Sequence, residues 1–318
     1  MQFKIKILFE GEIKMKKKLI LLLTVVLGTL GLVALRTELI MHYTDFSVIK
    51  DGAGPYTLDT GGFYKTDAGV LPIIFAVLLI AVVAFVLIFV FFVDKSYPGS
   101  PRLTSPTIIC ANFLYSAFLI VYSAIVLGEH NADNTVLVIM ILLLAVYMSY
   151  YAVFMFLKRR PFPIAAIIPT LFFCYKLLIE FLDSFSIIKT AEVLIDLAAI
   201  IFTLLFFTYF ARYTSKTKFR ASRKAFVAFG ACAVILLCVN VLPYLFAESF
   251  AGAGFVRAYP DTDASFMIAT ALYIFVFVCT SLAKPELYRN PYSHGIDSKT
   301  GTLKQNEEEY KSARLELK

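Results

Sequence analysis

Long apolar runs separated by short polar segments dominate the sequence from residue 19 onward. An α-helix rises about 1.5 Å per residue, so about 20 apolar residues cross a hydrocarbon core about 30 Å thick. Eight runs approach or reach this length, and none shows the two-residue alternation of membrane β-strands. They cover residues 19–36, 70–93, 106–127, 134–157, 161–182, 190–211, 225–247 and 264–283. The pattern predicts an all-α fold, a polytopic membrane bundle of eight transmembrane helices in a lipid bilayer.

Composition supports this prediction, and the placement of charge gives the bundle an orientation. Only 17% of the 318 residues are charged, and the net charge is +7. That charge alone would also suit nucleic acid, but most of the basic residues lie in the N-terminus, in alternate loops and in the tail. Because cytoplasmic loops are rich in Lys and Arg, we expect both termini in the cytoplasm and no nucleic-acid partner. This arrangement leaves on the outer side Arg36, Lys50, Lys65, Lys189 and Arg257.

The predicted helices divide the chain into three regions. Residues 1–18 form a basic cytoplasmic N-terminus, residues 19–283 the eight-helix membrane domain, and residues 284–318 a polar cytoplasmic tail. The longest outside loop covers residues 37–69, and its many glycines predict a compact cap.

A second start candidate lies within the N-terminal region. Met15 opens the stretch MKKKLILLL, which has the basic and apolar parts of an export signal or signal anchor. The codons for Glu10, Gly11 and Glu12 can contain a ribosome-binding string a short distance upstream. We therefore expect Met15 to be the native start, residues 1–14 to be a translated leader, and the first helix to be an uncleaved anchor.

Two stretches resemble a group of bacterial proteins. DTGGFYKTDAG, which follows the first helix, is similar to a D-x-x-T-G-F-[FY] segment of uncharacterised multi-pass membrane proteins of clostridia-like Firmicutes, although Gly62 is an extra glycine in that pattern. PTLFFCYKLLIEFLDSFS, with the later FFTYFAR and its basic loop, also looks like that group. The resemblance implies this topology and a bacterial cytoplasmic membrane, and it implies no function.

The sequence offers few of the residues that membrane enzymes use. The three histidines, His42, His130 and His294, lie outside the predicted spans, and the sequence has no HExxH motif. A catalytic acid or base in the bundle would therefore have to be a carboxylate or a tyrosine, and we predict no enzymatic activity. The five cysteines form no CxxC pair, and the acids of the cap loop lack EF-hand spacing, so we predict no metal and no cofactor.

Charged residues interrupt the fifth and sixth apolar runs. Lys176, Glu180 and Asp183 are four and three residues apart, so they share one helical face. Glu192 and Asp196 lie at matching depth on the next helix, which runs back across the membrane. An unpaired charge in a span costs at least about 2.5 kcal/mol, so these side chains should face one another. We predict that Glu180 and Asp196 flank Lys176. Asp183 and Glu192 would then lie nearer the outer mouth.

Two interpretations of this cluster remain open. It could be an interhelical salt bridge that fixes the fifth helix against the sixth, with Lys176 snorkelling outward. It could instead be a small acidic pocket in the outer leaflet, which Asn240 of the seventh helix joins at the same depth. Four carboxylates against one lysine would favour a cationic or zwitterionic solute.

The pocket interpretation predicts a transporter-like or small-solute-binding membrane protein. The alternative is a non-catalytic membrane subunit, sensor or scaffold. Such a protein would dock a cytoplasmic or membrane partner through the basic loop 212–224 or through the C-terminal tail.

Overall fold

A computed structural model describes the backbone of residues 2–43, 70–93, 105–128, 135–157, 162–185, 191–214, 220–251 and 261–282. These ranges are helical almost throughout and contain no strand, which confirms the predicted all-α class. They contain the helices α1 (Gln2–Tyr43), α2 (Leu71–Ile88), α3 (Pro106–Gly128), α4 (Thr135–Phe156), α5 (Ile168–Phe185), α6 (Ala191–Thr214), α7 (Arg220–Ala251) and α8 (Asp261–Leu282). A π-helical turn, Phe89–Val93, extends α2, and a 3-10 turn, Pro163–Ile167, precedes α5.

Seven of the described helices, α1 to α7, are long and apolar enough to cross a membrane. Their apolar sections are Lys18–His42, Leu71–Phe92, Pro106–Gly128, Thr135–Phe156, Ile164–Leu182, Leu194–Arg212 and Lys224–Phe246. The apolar section of α8 is shorter, Ala264–Thr280, so the eighth span stays a prediction. The fold is that of a multi-pass helical membrane bundle.

The first helix departs from its predicted bounds. It continues to Tyr43, so the beginning of the predicted cap loop 37–69 is helical, while residues 44–69 lie outside the described residues. Because Arg36 ends the first apolar run, the pattern predicted that the helix meets water at this residue. In the structure it lies within the apolar section of α1 and is fully buried. The prediction that ended the first helix at Arg36 is therefore wrong: the helix continues, and contacts with α7 replace water around the guanidinium.

Helix α7 occupies the centre of the bundle. In its most apolar stretch 83% of the residues are buried, against at most 50% in the other six spans. Helices α1, α2, α6 and α8 all pack against it. Gly230 allows α6 and α8 to approach α7 closely, because a Cβ atom there would lie 2.9 Å from the ring of Phe206 and 3.1 Å from Val278.

Aromatic side chains fill the half of the bundle where α6 ends and α7 begins. The ring of Phe206 lies 5.0 Å from that of Phe226, and the ring of Phe210 lies 5.4 Å from that of Phe277. We call the aromatic end the set Phe206, Phe207, Phe210, Phe226 and Phe277, all of them buried.

Hydroxyl groups connect α3 to its neighbours. The hydroxyl of Ser116 donates to the carbonyl of Ala145 at 2.9 Å and lies 2.6 Å from the hydroxyl of Ser149, which ties α3 to α4. The hydroxyls of Tyr115 and Thr270 are 2.9 Å apart and tie α3 to α8. Hydrogen bonds of this kind are a common means of helix association in membranes.

Candidate functional site

Charged and polar side chains gather at the end of the bundle opposite the aromatic end. Successive helices run in opposite directions, so the later part of the apolar section of one helix meets the earlier part of the next. Arg36 and Lys176 lie late in their sections, Asp196 lies early, and Asn240 lies in the second half of α7. We call the polar cluster the set Arg36, Lys176, Glu180, Asp196 and Asn240.

Asn240, on α7, contacts side chains of three other helices. Its side chain is fully buried, and its Nδ2 donates to Oδ1 of Asp196 on α6 at 3.0 Å. The same Nδ2 lies 3.6 Å from the sulfur of Met267 on α8. Its Oδ1 accepts from Nη1 of Arg36 at 3.4 Å. The amide thus faces a carboxylate with its donor and a guanidinium with its acceptor, which is the orientation that satisfies both groups.

Arg36 joins α1 to α7 through its guanidinium. Nη1 donates to the main-chain carbonyl of Val239 at 2.7 Å, and the guanidinium carbon lies 5.3 Å from the centre of the Tyr244 ring. Hydrogen bonds to oxygen and contact with an aromatic face are the two interactions that suit a buried guanidinium best. The carboxylate of Asp196, one amide away through Asn240, supplies opposite charge nearby.

Lys176 and Glu180 form an ion pair on α5, with Nζ and Oε1 3.1 Å apart. The lysine side chain is 8% exposed and the glutamate side chain 28% exposed, so the pair lies at the edge of the buried region. Nζ also lies 5.7 Å from the centre of the Phe266 ring. The predicted pairing of Lys176 with Glu180 is confirmed. Its pairing with Asp196 stays a prediction.

The charge balance of the site differs from the prediction. Counting four carboxylates against one lysine omitted Arg36, which the structure brings into the cluster from a helix far away in the chain. The side chains of Asp183 and Glu192 lie outside the described residues, and their place at the outer mouth stays a prediction. In the polar cluster itself, two cations accompany two carboxylates.

The sequence carried a signal for Arg36 that the prediction did not use. Leu32, Val33, Leu39 and Ile40 are buried and lie three or four residues on either side of Arg36. Residues at these spacings share one face of a helix, so the buried stripe of α1 passes through the arginine. An apolar stripe on both sides of a charge indicates a buried charge and not a helix end.

The chemistry of the polar cluster is that of charged and amide groups. Within the described residues, no group of three or more His, Cys, Asp or Glu side chains is placed to hold a metal ion. Guanidinium, ammonium, carboxylate and amide groups can instead bind a small polar solute by charge-assisted hydrogen bonds. A solute can replace one member of an internal pair of opposite charges if the solute carries the same charge as the member that it replaces.

Comparison of the chain with protein-family models, with curated proteins and with solved structures finds no match. The resemblance to membrane proteins of clostridia-like Firmicutes thus stays a prediction. Function has to be inferred from the chemistry of the site.

Proposed function

We propose that the protein is a transporter-like membrane protein that binds a small solute at the polar cluster. One observation carries this proposal: four different helices each bury a polar or charged side chain at the same end of the bundle. These side chains are Arg36, Lys176, Asp196 and Asn240. Charged residues within spans are costly and usually mark a substrate or ion pathway.

The proposal includes a topology of eight spans with both termini in the cytoplasm of a bacterial cell. The positive-inside rule supports it, because the basic segment 212–224 joins α6 to α7 at the end of the bundle opposite the polar cluster. The polar cluster then lies in the outer leaflet.

A phosphatase fused after residue 65 should be active and one fused after residue 218 inactive. Reversed activities would contradict this orientation.

The class of solute follows from the groups of the polar cluster. Each carboxylate has a cationic or amide partner: Glu180 pairs with Lys176, and Asp196 accepts from Asn240. A solute with an ammonium or guanidinium group could join the carboxylates, and a zwitterion could also use the buried cations. The proposed solute is therefore a small organic cation or zwitterion.

Thermal unfolding of the purified protein in detergent tests the proposal. Arginine, lysine, agmatine and glycine betaine are the probes, and succinate, which has no cationic group, is the anionic control. At least one probe should raise the Tm of the wild type, because a ligand that binds only the folded state stabilises it. Asp196→Asn should abolish the rise.

Thr203→Val is the matched control for Asp196→Asn. Thr203 is buried on the same helix, and its hydroxyl donates within that helix to the carbonyl of Ala199 at 2.8 Å. The control should keep the response to the probe. The proposal fails if no probe stabilises the wild type, or if both variants lose the response equally.

The alternative function, a non-catalytic subunit, sensor or scaffold, places its contacts at the basic loop or the tail. Residues 215–219 of that loop and residues 283–318 lie outside the described residues. This function stays a prediction. It would gain support if the polar cluster proved to have a purely structural role.

A further inference from the structure

Pro243 leaves one main-chain carbonyl of α7 without its usual donor. In an α-helix the N–H of each residue donates to the carbonyl four residues earlier, and proline has no N–H. Pro243 lies inside α7, so the affected carbonyl is that of Val239. A buried carbonyl in a membrane needs another donor. Nη1 of Arg36, at 2.7 Å, is that donor.

Three groups within two turns of α7 face the same guanidinium. They are the carbonyl of Val239, the side-chain oxygen of Asn240 and the ring of Tyr244, and we call them the α7 acceptor site. The bond from Asn240 to Asp196 keeps the amide oxygen turned toward the cation. Oxygen acceptors beside an aromatic face are the groups that bind organic cations with N–H donors.

The cation and its site belong to different helices. All three acceptors lie on α7, whereas Arg36 reaches them from α1. Carbonyl groups freed at a break in a transmembrane helix hold cations in membrane transporters. A site of this kind does not require that its cation be attached to the protein, and a solute with the same group could take the place of Arg36.

We propose that the α7 acceptor site binds the guanidinium or primary ammonium group of a small organic cation, and that Arg36 is the resident cation which the solute displaces. This inference rests on the proposed function and gives it a substrate class and a mechanism of exchange. When Arg36 leaves the site, α1 loses its bond to α7, so solute binding would loosen the contact between these helices.

Chemical rescue tests the acceptor site. Arg36→Ala removes the resident cation and should lower the Tm. Methylguanidinium at millimolar concentration should restore about half of the loss or more, because it binds the folded state alone. Methylammonium is the second arm and distinguishes an ammonium solute from a guanidinium one. Sodium and tetramethylammonium chloride, which lack N–H donors, should restore nothing.

Pro243→Ala provides the matched control. It gives position 243 an N–H that bonds the carbonyl of Val239 within the helix, so the acceptor site loses its strongest oxygen. In the Arg36→Ala background it should weaken the rescue. An undiminished rescue would show that the freed carbonyl has no part in cation binding.

A binding measurement covers the case in which Arg36→Ala does not fold. Arg36→Gln shortens the side chain and removes the charge, but it leaves a polar N–H donor at this position of α1. By equilibrium dialysis it should bind labelled methylguanidinium about tenfold more tightly than the wild type, because no resident cation has to leave. Equal or weaker binding, together with no rescue, would overturn the inference.

The outcomes separate this inference from the proposed function. If Asp196→Asn abolishes solute binding but the Arg36 variants show neither rescue nor tighter binding, the proposed function stands and the resident-cation inference fails. If the variants are rescued but the wild type binds no solute, Arg36 is a fixed part of the fold. That result would overturn both the displacement of Arg36 by a solute and the proposed function.

Discussion

The aromatic end and the polar cluster both join α6 to α7, but by different interactions. At the aromatic end α6, α7 and α8 meet through phenylalanine rings 5.0 to 6.3 Å apart. At the polar cluster α1, α6 and α7 meet through two side-chain hydrogen bonds and one bond to a main-chain carbonyl. All of these side chains are buried except that of Glu180, yet only those of the polar cluster would be costly to expose to lipid.

This difference assigns separate roles to the two ends. Lipid tails are as apolar as phenylalanine, so the hydrophobic effect does not drive the rings together, and close packing has to do so. A charge facing lipid is expensive, so the polar cluster limits which helices can be neighbours. We expect substitutions that change side-chain size to lower stability most at the aromatic end. At the polar cluster, we expect the largest losses from substitutions that remove one member of an interacting pair and leave the other buried.

The largest effect is expected at Arg36. Arg36→Met keeps much of the volume but removes a donor from the carbonyl of Val239 and from the side-chain oxygen of Asn240, and it removes the positive charge that Asn240 links to Asp196. Breaking a buried ionic network in this way costs about 3–5 kcal/mol of the free energy of unfolding. Denaturation in detergent micelles measures it. Adding Asp196→Asn should recover part of the loss, and a single variant as stable as the wild type would refute a role for Arg36 in the network.

A size change at the aromatic end should have the next largest effect. Gly230→Ala puts a methyl group 2.9 Å from the ring of Phe206, and overpacking of this kind costs about 1–3 kcal/mol. Gly31→Ala is the control, because its new Cβ would meet no atom within 4 Å. The control should be neutral or stabilising, since alanine favours helix. Equal losses in thermal stability for the two variants would contradict close packing at Gly230.

The sequence predicted the positions of the helices well, but it predicted less well which side chains contact one another. Apolar run-length located all eight described helices, because crossing a membrane fixes a minimum length. The run-length criterion ended the first helix too early, because the sequence near a charge is the same whether water or another helix surrounds that charge. Arg36 finds its partners on α7, more than 200 positions away (a sequence separation of 203 to Val239), and no local pattern encodes that contact.

Spacing predicted the contacts within a helix and the depth of residues across helices. Lys176 and Glu180 are four residues apart, and their ion pair follows from helical geometry alone. Asp196 and Asn240 were predicted at one depth, and they are hydrogen-bonded. Which of several charges at that depth touch depends on how the helices rotate about their axes. That rotation is set by packing at positions such as Gly230, which the predictions did not use.

A smaller effect is expected at the Lys176–Glu180 pair. Lys176→Met leaves one glutamate without its ion-pair partner, but the side chain of Glu180 is 28% exposed and can be hydrated. The loss in free energy of unfolding should be about 1–2 kcal/mol, below that for Arg36→Met. Lys176→Met with Glu180→Gln should recover most of it. If the double variant is less stable than the single one, the pair is not an isolated unit.

The smallest effects are expected where neutral hydroxyls join α3 to α8, beside the aromatic end, where the ring of Tyr273 lies 5.0 Å from that of Phe277. Tyr115 and Tyr273 stack with ring centres 4.6 Å apart, and each has a hydroxyl bonded to a side chain of the other helix. Either tyrosine can be changed to phenylalanine without disturbing the stack, so the pair of variants isolates the two hydrogen bonds.

The two bonds should differ, because their partners are left in different states. In Tyr115→Phe the hydroxyl of Thr270 still donates to the carbonyl of Phe266 at 2.8 Å, so no buried donor is stranded. In Tyr273→Phe the side-chain oxygen of Asn112 loses a donor at 3.1 Å and stays buried. Hydrogen bonds between membrane helices average about 0.6 kcal/mol, so Tyr115→Phe should cost less than this and Tyr273→Phe more. Denaturation midpoints of the two variants in the same detergent measure the difference. The reverse order would mean that a stranded acceptor matters less here than the bond itself, and the same reasoning would then fail for Arg36 and the carbonyl of Val239.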